Sequence, residues 1–572
     1  MSRSGFDQPG RPEIPVPLTV FDRLTTTSFR IFRSPARSIA KAIPGLRESL
    51  LKSDISVTPE GLVSVALFLT LATGIAVIAI VTLSVAILGF NAAAFLLLAI
   101  PIVPMIVLNA PGYSAASRAS RLENELPFVV GFMSIIAGGG QSLVQILKRI
   151  STMNIFPGAS KEAYRLLVDV EVYGEEPVNA LESASRYNPN KWYSELLSGY
   201  ATVLRTGGDN INYLAIKLKE VFDERAARIK RASEITGAIA EIYLIVTVVL
   251  GIIVFTLYIV QSLVAGDVSG LTNIFTFAFV VVPLVSGVFI FVLDGTQPKW
   301  PFTDTRPYKI FAITLPFGVA LYLLPLPIRV YLHLSLALIV LALPAAIFAT
   351  KYSADRRGIE KALPDFIRDV AEGRKIGLAP EASVERLVGR NYGALSRPVS
   401  KMGSQLTWGL SLKKVLTAFV VRVNSWIARA VGTLMLEVVV VGGGTVKSFS
   451  DMADFTKRVN TMELETRAAL RGYTFIAYIS GIMIISTTYI FIYFLGQGAA
   501  SGLASSATQF QVDPETVDLL FAAAVFESWV IGIVAGKMGE ASIAEGFKHA
   551  VVMVLLTLAT VAIAQTLFPI PV

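Results

Sequence analysis

Nine runs of about 20 apolar residues punctuate this chain, and each is long enough to cross about 30 Å of hydrocarbon as a helix rising about 1.5 Å per residue. The runs cover residues 62–89, 92–110, 238–264, 271–293, 308–328, 333–350, 473–496, 516–535 and 549–568. Gly89 and Asn91 supply a turn between the first two. Pro316, Pro325, Pro327 and Pro344 interrupt the fifth and sixth, so a full crossing and a re-entrant pair both stay open. Membrane helices tolerate proline where neighbours satisfy the freed carbonyls. Composition agrees: 53% of the residues are apolar, 16% are charged, and mean hydropathy is +0.62. The expected fold is an all-α integral membrane protein with about nine transmembrane helices. No cysteine is present, which excludes disulfides and thiolate metal sites. Two histidines, His333 and His549, cannot build a histidine metal cluster within one chain.

Charge tests the span assignment. If the N-terminus starts in the cytoplasm and nine spans alternate, 49 of the 50 Lys and Arg residues fall on the inner side, with Arg329 the exception. The expected orientation is a cytoplasmic N-terminus and an extracytoplasmic C-terminus in the cell membrane. No cleavable signal peptide is visible; the first apolar run follows nine basic residues and reads as a signal anchor. The expected layout is a cytoplasmic arm (1–61), spans one and two (62–110), a first cytoplasmic helical domain (111–237) and spans three and four (238–293). A cytoplasmic loop (294–307), spans five and six (308–350) and a second cytoplasmic helical domain (351–472) follow. Spans seven and eight (473–535) precede a loop and the ninth span (536–572).

The two large polar segments repeat one another. Leu126-Pro127 matches Leu363-Pro364, and Gly140 matches Gly377, both at a shift of 237 residues. Gly207-Gly208 matches Gly443-Gly444 at a shift of 236. Two spans precede each segment and two follow it. A four-span repeat returns to its starting side, so the duplication is parallel, unlike the inverted repeats of many transporters. Both segments read as helical bundles of about 110 residues, punctuated by Gly and Pro. Their last helices, ending near Arg231 and Arg471, run almost directly into spans. A continuous helix there would couple bundle and membrane mechanically.

These features resemble the type II secretion system F domain: a Leu-Pro, then a glycine before the second helix, then a mid-domain glycine pair. The resembling stretches are about 121–260 and 359–495. Two such domains with about nine spans are similar to the archaeal platform proteins of archaella and adhesive pili. The resemblance implies a platform beneath a helical filament, as a homodimer. A hexameric secretion ATPase would engage its cytoplasmic domains, and pilin or archaellin subunits would pass from the bilayer into the filament. It supplies no catalytic, cofactor or metal residue.

The residues themselves point away from catalysis. Gly442 to Ser448 lacks the glycine directly before Lys447 that a phosphate-binding loop needs, and no strand precedes it. The chain therefore reads as neither an enzyme nor a nucleic-acid binder; its net charge of +8 fits orientation and lipid headgroups. Basic clusters are candidate ATPase contacts: Lys148 and Arg149, Arg374 and Lys375, Lys413 and Lys414. Solvated helix faces account for such clusters equally naturally. The second segment carries 20 basic and 12 acidic residues against 15 and 14 in the first, which favours the second for an acidic partner or for lipid headgroups. Two ionisable residues fall within spans, Glu241 one turn inside and Glu527 at mid-span, with Asp294 at a span end. Residues 18–34 mix Phe21, Leu24, Phe29, Ile31 and Phe32 with Arg23, Arg30 and Arg33; a helix on the inner leaflet and a packed or disordered arm both fit. A transporter or channel subunit is the competing function. It predicts matched polar residues at mid-membrane in both halves, and Glu527 has none in the fourth span.

Overall fold

The structure is a computed structural model that describes residues 20–53, 55, 57–88, 99–254, 256–257, 274–297, 304–442, 445–500 and 514–569. The described residues are helical, with no strand among them. They form two compact units, residues 1–221 and 222–572.

In the first unit, three short helices, α1 (Val20–Ile31), α2 (Arg33–Ala42) and α3 (Leu46–Lys52), gather around the start of α4 (Pro59–Leu88), the first span. Ala36, Leu46 and Leu50 join Leu62 and Val63 in a small apolar cluster bordered by Val107 and Leu108. The 40-residue helix α5 (Ala99–Gly138) packs on α4 and then continues as the first helix of a bundle. The bundle adds α6 (Leu143–Ser151), α7 (Pro157–Leu167), α8 (Pro177–Tyr187), α9 (Lys191–Thr206) and the start of α10 (Asn210–Leu244). Local signals set these boundaries. Ser142 and Gln145 form a reciprocal capping box on α6, Pro157 and Pro177 open α7 and α8, and Asn190 caps α9. Phe132, Ile136, Ile146, Leu166, Leu181 and Tyr200 are fully buried between these helices. Each such side chain contributes about 1.5–3 kcal/mol by leaving water.

In the second unit, α10 passes through a π turn at Ile245–Val249 and reaches Val254. The next elements are α11 (Ile274–Thr296), α12 (Arg306–Leu323) and the 46-residue α13 (Val330–Lys375). The second bundle follows as α14 (Pro380–Arg386), α15 (Ser396–Thr407), α16 (Leu412–Arg422), α17 (Trp426–Gly442) and α18 (Val446–Arg471). After it come α19 (Tyr473–Ala500), α20 (Pro514–Glu540) and α21 (Ile543–Leu567). Helices α13 to α18 repeat the order of α5 to α10. The domain boundaries expected at 111, 237 and 351 all lie inside unbroken helices, so no loop separates bundle from span there.

Helix α20 is the centre of the membrane core. It is buried along most of its length among α11, α13, α19 and α21, while other spans leave Leu284, Phe291 and Ile347 exposed. Glycines let it come close to α21: a Cβ at Gly536 would lie 2.2 Å from the Gly546 backbone, and one at Gly532 would lie 2.4 Å from Ala550 Cα. Small residues four apart are the membrane solution for backbone-to-backbone packing.

Seven described helices are long and apolar enough to cross a membrane, corresponding to predicted spans one, three, four, six, seven, eight and nine. The N-terminal part of predicted span two, with Asn91, lies outside the described residues. Predicted span five is α12, whose 18 residues reach about 27 Å at 1.5 Å each. It packs as a hairpin on α13, with the Thr314 hydroxyl donating to the Leu341 carbonyl at 2.8 Å and Gly318 set against Leu341.

Candidate functional site

The repeat seen in the sequence has a backbone cause. Gly140 and Gly377 both sit in the left-handed region, at φ 81° and 87°, where they end α5 and α13. L-residues other than glycine are strained there, so the helix-ending turn fixes the residue type. Gly207 plays the same part after α9 at φ 68°, and the Gly208 N–H donates back to the Val203 carbonyl at 2.9 Å. Gly443 and Gly444 lie outside the described residues. The Leu-Pro pairs lie within long helices. Pro127 and Pro364 lie inside α5 and α13, with Leu126 and Leu363 buried beside them, so each pair marks the passage of a long helix through its bundle.

Buried polar locks hold the base of each bundle. In the first, Arg118 on α5 donates to both carboxylate oxygens of Glu162 on α7, at 2.8 and 2.6 Å, and to the Lys52 carbonyl at 3.0 Å. Arg165 and Asn188 complete the shell of Glu162 at 2.7 and 3.1 Å. Asn190 caps α9 and also donates to the Ala119 carbonyl on α5 at 3.0 Å. Nearby, Glu125 accepts from the Gly158 and Ala159 N–H groups that start α7; burial pushes its carboxyl up against the pull of those donors.

The second bundle uses the same plan with other residues. Ser425 caps α17 and donates to Glu360 on α13 at 2.9 Å, as Asn190 reaches from α9 to α5. Arg467 on α18 bridges Glu360 at 3.1 Å and Glu463 at 2.7 Å. A cavity of about 30 Å³ beside them is lined by Asp304, Tyr352, Arg356, Glu360, Asn424 and Glu463 among others. That volume suits an ordered water, and Asp304 Oδ2, Arg356 Nε and Glu463 Oε2 are buried there without a hydrogen-bond partner among the described residues.

The candidate contact residues fall at different places. Lys148 pairs with Glu171 at 2.6 Å on the first bundle, beside Arg149 at the end of α6. Arg374 is half-buried and its guanidinium donates to the Leu378 carbonyl, bracing the turn after α13. Lys375, Lys413 and Lys414 are exposed. The 15 residues from Glu360 to Lys375 carry α13 about 22 Å away from the bundle base. Helix α16 runs back from Leu412 to Arg422, just before Asn424 at that base, so the turns after α13 and α15 share the far end. Sequence reasoning missed Trp408 in the second turn, which is 84% exposed next to Gly409, with Ile376 exposed in the first. An unburied tryptophan beside two lysines has the make-up of an interface anchor.

Of the intramembrane residues, Glu241 lies on the exposed face of α10. Glu527 is 1% exposed on α20, and its Oε1 has no hydrogen-bond partner among the described residues. Asp294 is more than a span end. It pairs at 2.7 Å with Lys537, a buried cation on α20 that sequence reasoning passed over, while Gln297 donates to the Lys537 carbonyl at 3.0 Å. Because charge is costly at this depth, Glu527→Gln is expected to leave folding, yield and melting temperature unchanged. A lower melting temperature in the Glu527→Gln protein would instead assign the carboxylate an ionised role.

A family profile described as type II secretion system (T2SS), protein F matches residues 130–258 and again 366–493. The chain carries two type II secretion system protein F domains. Each F domain starts just after a Leu-Pro pair, takes in one bundle and ends in the span that follows it. Members of this family are membrane platform proteins of secretion and pilus-type systems, and not enzymes; they generally work with secretion ATPases and pilin-like subunits. An uncharacterised protein of Methanocaldococcus jannaschii is 21% identical over 491 residues, covering 80% of this chain and 82% of the relative. No solved structure matches the chain.

Proposed function

We propose that this multi-pass membrane protein is the platform of a type IV pilus-like filament machine, an archaellum or an adhesive pilus, that works as a homodimer. In this reading both F-domain bundles face the cytoplasm, where a hexameric secretion ATPase engages them, and the bundles pass its motion to the membrane core. Pilin-like subunits then move from the bilayer into the filament. The N-terminus is cytoplasmic and the C-terminus extracytoplasmic, supported by the 49 of 50 cations on one side of the alternating spans.

The observation that carries the mechanism is the continuity of the rods. The helix Asn210–Val254 leaves the first bundle and becomes a span over 45 residues, and α18 runs into α19 through the single residue Gly472, itself at helical φ −60° and ψ −33°. Helices α5 and α13 enter the bundles in the same unbroken way. A push at the far end of such a helix is delivered to the membrane without a loop to absorb it. The far end of the second bundle, with Trp408, Lys375, Lys413 and Lys414, offers an aromatic anchor among cations for an acidic ATPase surface.

Co-purification tests this. A Trp408→Ala, Lys413→Glu, Lys414→Glu variant is expected to lose at least tenfold in ATPase retained, with few or no filaments, while the chain stays folded. Wild-type ATPase retention and filament numbers in that variant would remove this face from the machine.

A further inference from the structure

A row of cations on the N-terminal helices has no acidic partner among the described residues. From Arg23 to Arg47 the chain carries six basic residues and no acidic one. Arg33, Arg37 and Lys41 follow at intervals of four on α2, which sets them along one face, and Arg30 precedes them at the end of α1. All four are exposed and none has an acidic partner among the described residues. Ile31 and Ile39 are exposed on the same two helices.

The other side of these helices is fixed. Ala36 packs with Leu62 and Val63, Ala40 and Ile43 border that cluster, and Thr25 lies against Gly61. Gly61, Leu62 and Val63 belong to the first turns of α4, a membrane span. One or two turns is about 5–11 Å along a helix, so the cationic row is pinned at the depth of phospholipid headgroups.

We infer that Arg30, Arg33, Arg37 and Lys41 form a binding surface for anionic phospholipid headgroups, which seats α1 and α2 on the bilayer beside the first span. Placement favours lipid over an acidic protein: the helices are anchored at the edge of the hydrocarbon, and exposed isoleucines accompany the cations. Basic amphipathic helices bind membranes in this way, with apolar side chains at the acyl boundary and cations among the headgroups. The inference rests on the membrane reading of α4 and is independent of any filament.

The chain has no cysteine, so Ser34→Cys gives a single labelling position at an exposed site. The full chain, labelled there with a polarity-sensitive dye, is reconstituted in nanodiscs of phosphatidylcholine alone or with phosphatidylglycerol. A blue shift is expected in the anionic nanodiscs and is reversed by high salt. In the Arg33→Gln, Arg37→Gln, Lys41→Gln variant the shielded-to-exposed ratio is expected to fall about fivefold for each charge removed. Lysine at both arginine positions restores it, and an unchanged elution volume shows that each variant is folded. Equal emission in the two nanodiscs, or a shift that survives the triple glutamine variant, overturns the inference. So does shielding that appears only when a secretion ATPase is added, which would assign the row to a protein partner. No ATPase or filament is needed for the main readout, so it stands or falls separately from the platform function.

Discussion

Replacing Gly536 with alanine is expected to lower the stability of the membrane core by about 3 kcal/mol or more, because the new methyl meets backbone rather than a side chain that can swing away. Its Cβ would lie 2.2 Å from both the Cα and the N of Gly546. Helix α21 would have to move as a body, and Gly532 faces the same helix one turn earlier with a Cβ position 2.4 Å from Ala550 Cα. Gly287→Ala is the matched control, since a Cβ at Gly287 in α11 meets nothing within 4 Å. There the gain in helix propensity of about 1 kcal/mol per residue goes unopposed. Thermal unfolding of the detergent-purified chain, followed by tryptophan fluorescence, to which Trp529 on α20 contributes, reads both. A Gly536→Ala protein that melts with the parent would mean that α20 and α21 are not packed backbone to backbone.

The glycines show where the sequence was informative. Gly140 and Gly377 betray the duplication because a left-handed turn tolerates little else, so the constraint is local and survives while neighbours diverge. The spans were legible for a similar reason: about 20 apolar residues in a row leave a helix in lipid as the natural outcome. The Leu-Pro pairs were visible, but their place inside a long helix was not. Proline ordinarily marks a boundary, whereas Pro127 and Pro364 sit inside helices of 40 and 46 residues whose surroundings hold them together. The polar locks were not legible. Arg118 and Glu162 are 44 residues apart, and Lys537 and Asp294 are 243 apart, so neither pair leaves a periodic trace in the chain. The charge clusters that did stand out were a mixed guide: Lys413 and Lys414 are exposed, while Arg374 braces its own turn. Trp408 gave no signal beyond its type, because exposure follows from the turn between α15 and α16 and not from its neighbours in sequence.

Arg118→Met is expected to destabilise the first unit by about 3–5 kcal/mol, since it strips a buried carboxylate of its main counter-charge. Glu162 would keep Arg165 and Asn188, yet lose both bonds of a bidentate pair in a site where the two side chains are 5% and 6% exposed. The Lys52 carbonyl at the end of α3 would lose its donor as well. Removing the carboxylate too should recover most of the loss: Arg118→Met, Glu162→Leu leaves no buried carboxylate, and the residual cost of about 1–3 kcal/mol is that of the lost Arg165 ion pair, the unmet Asn188 amide and the Lys52 carbonyl. Arg118→Lys keeps the charge but cannot reach both oxygens, so it should fall between the two. Limited proteolysis of residues 139–221 together with thermal unfolding measures all three, and a single Arg118→Met protein as stable as the parent would show that the pair is dispensable. The ordering of the three separates charge from packing, and it bears on transmission. Arg118 is the point at which α3, the long helix α5 and helix α7 are tied together, so a bundle that loosens there can no longer move as one piece with the helix that enters the membrane. In the proposed machine the Arg118→Met platform would then bind its ATPase and still fail to build filament, while the double variant regains assembly as it regains stability.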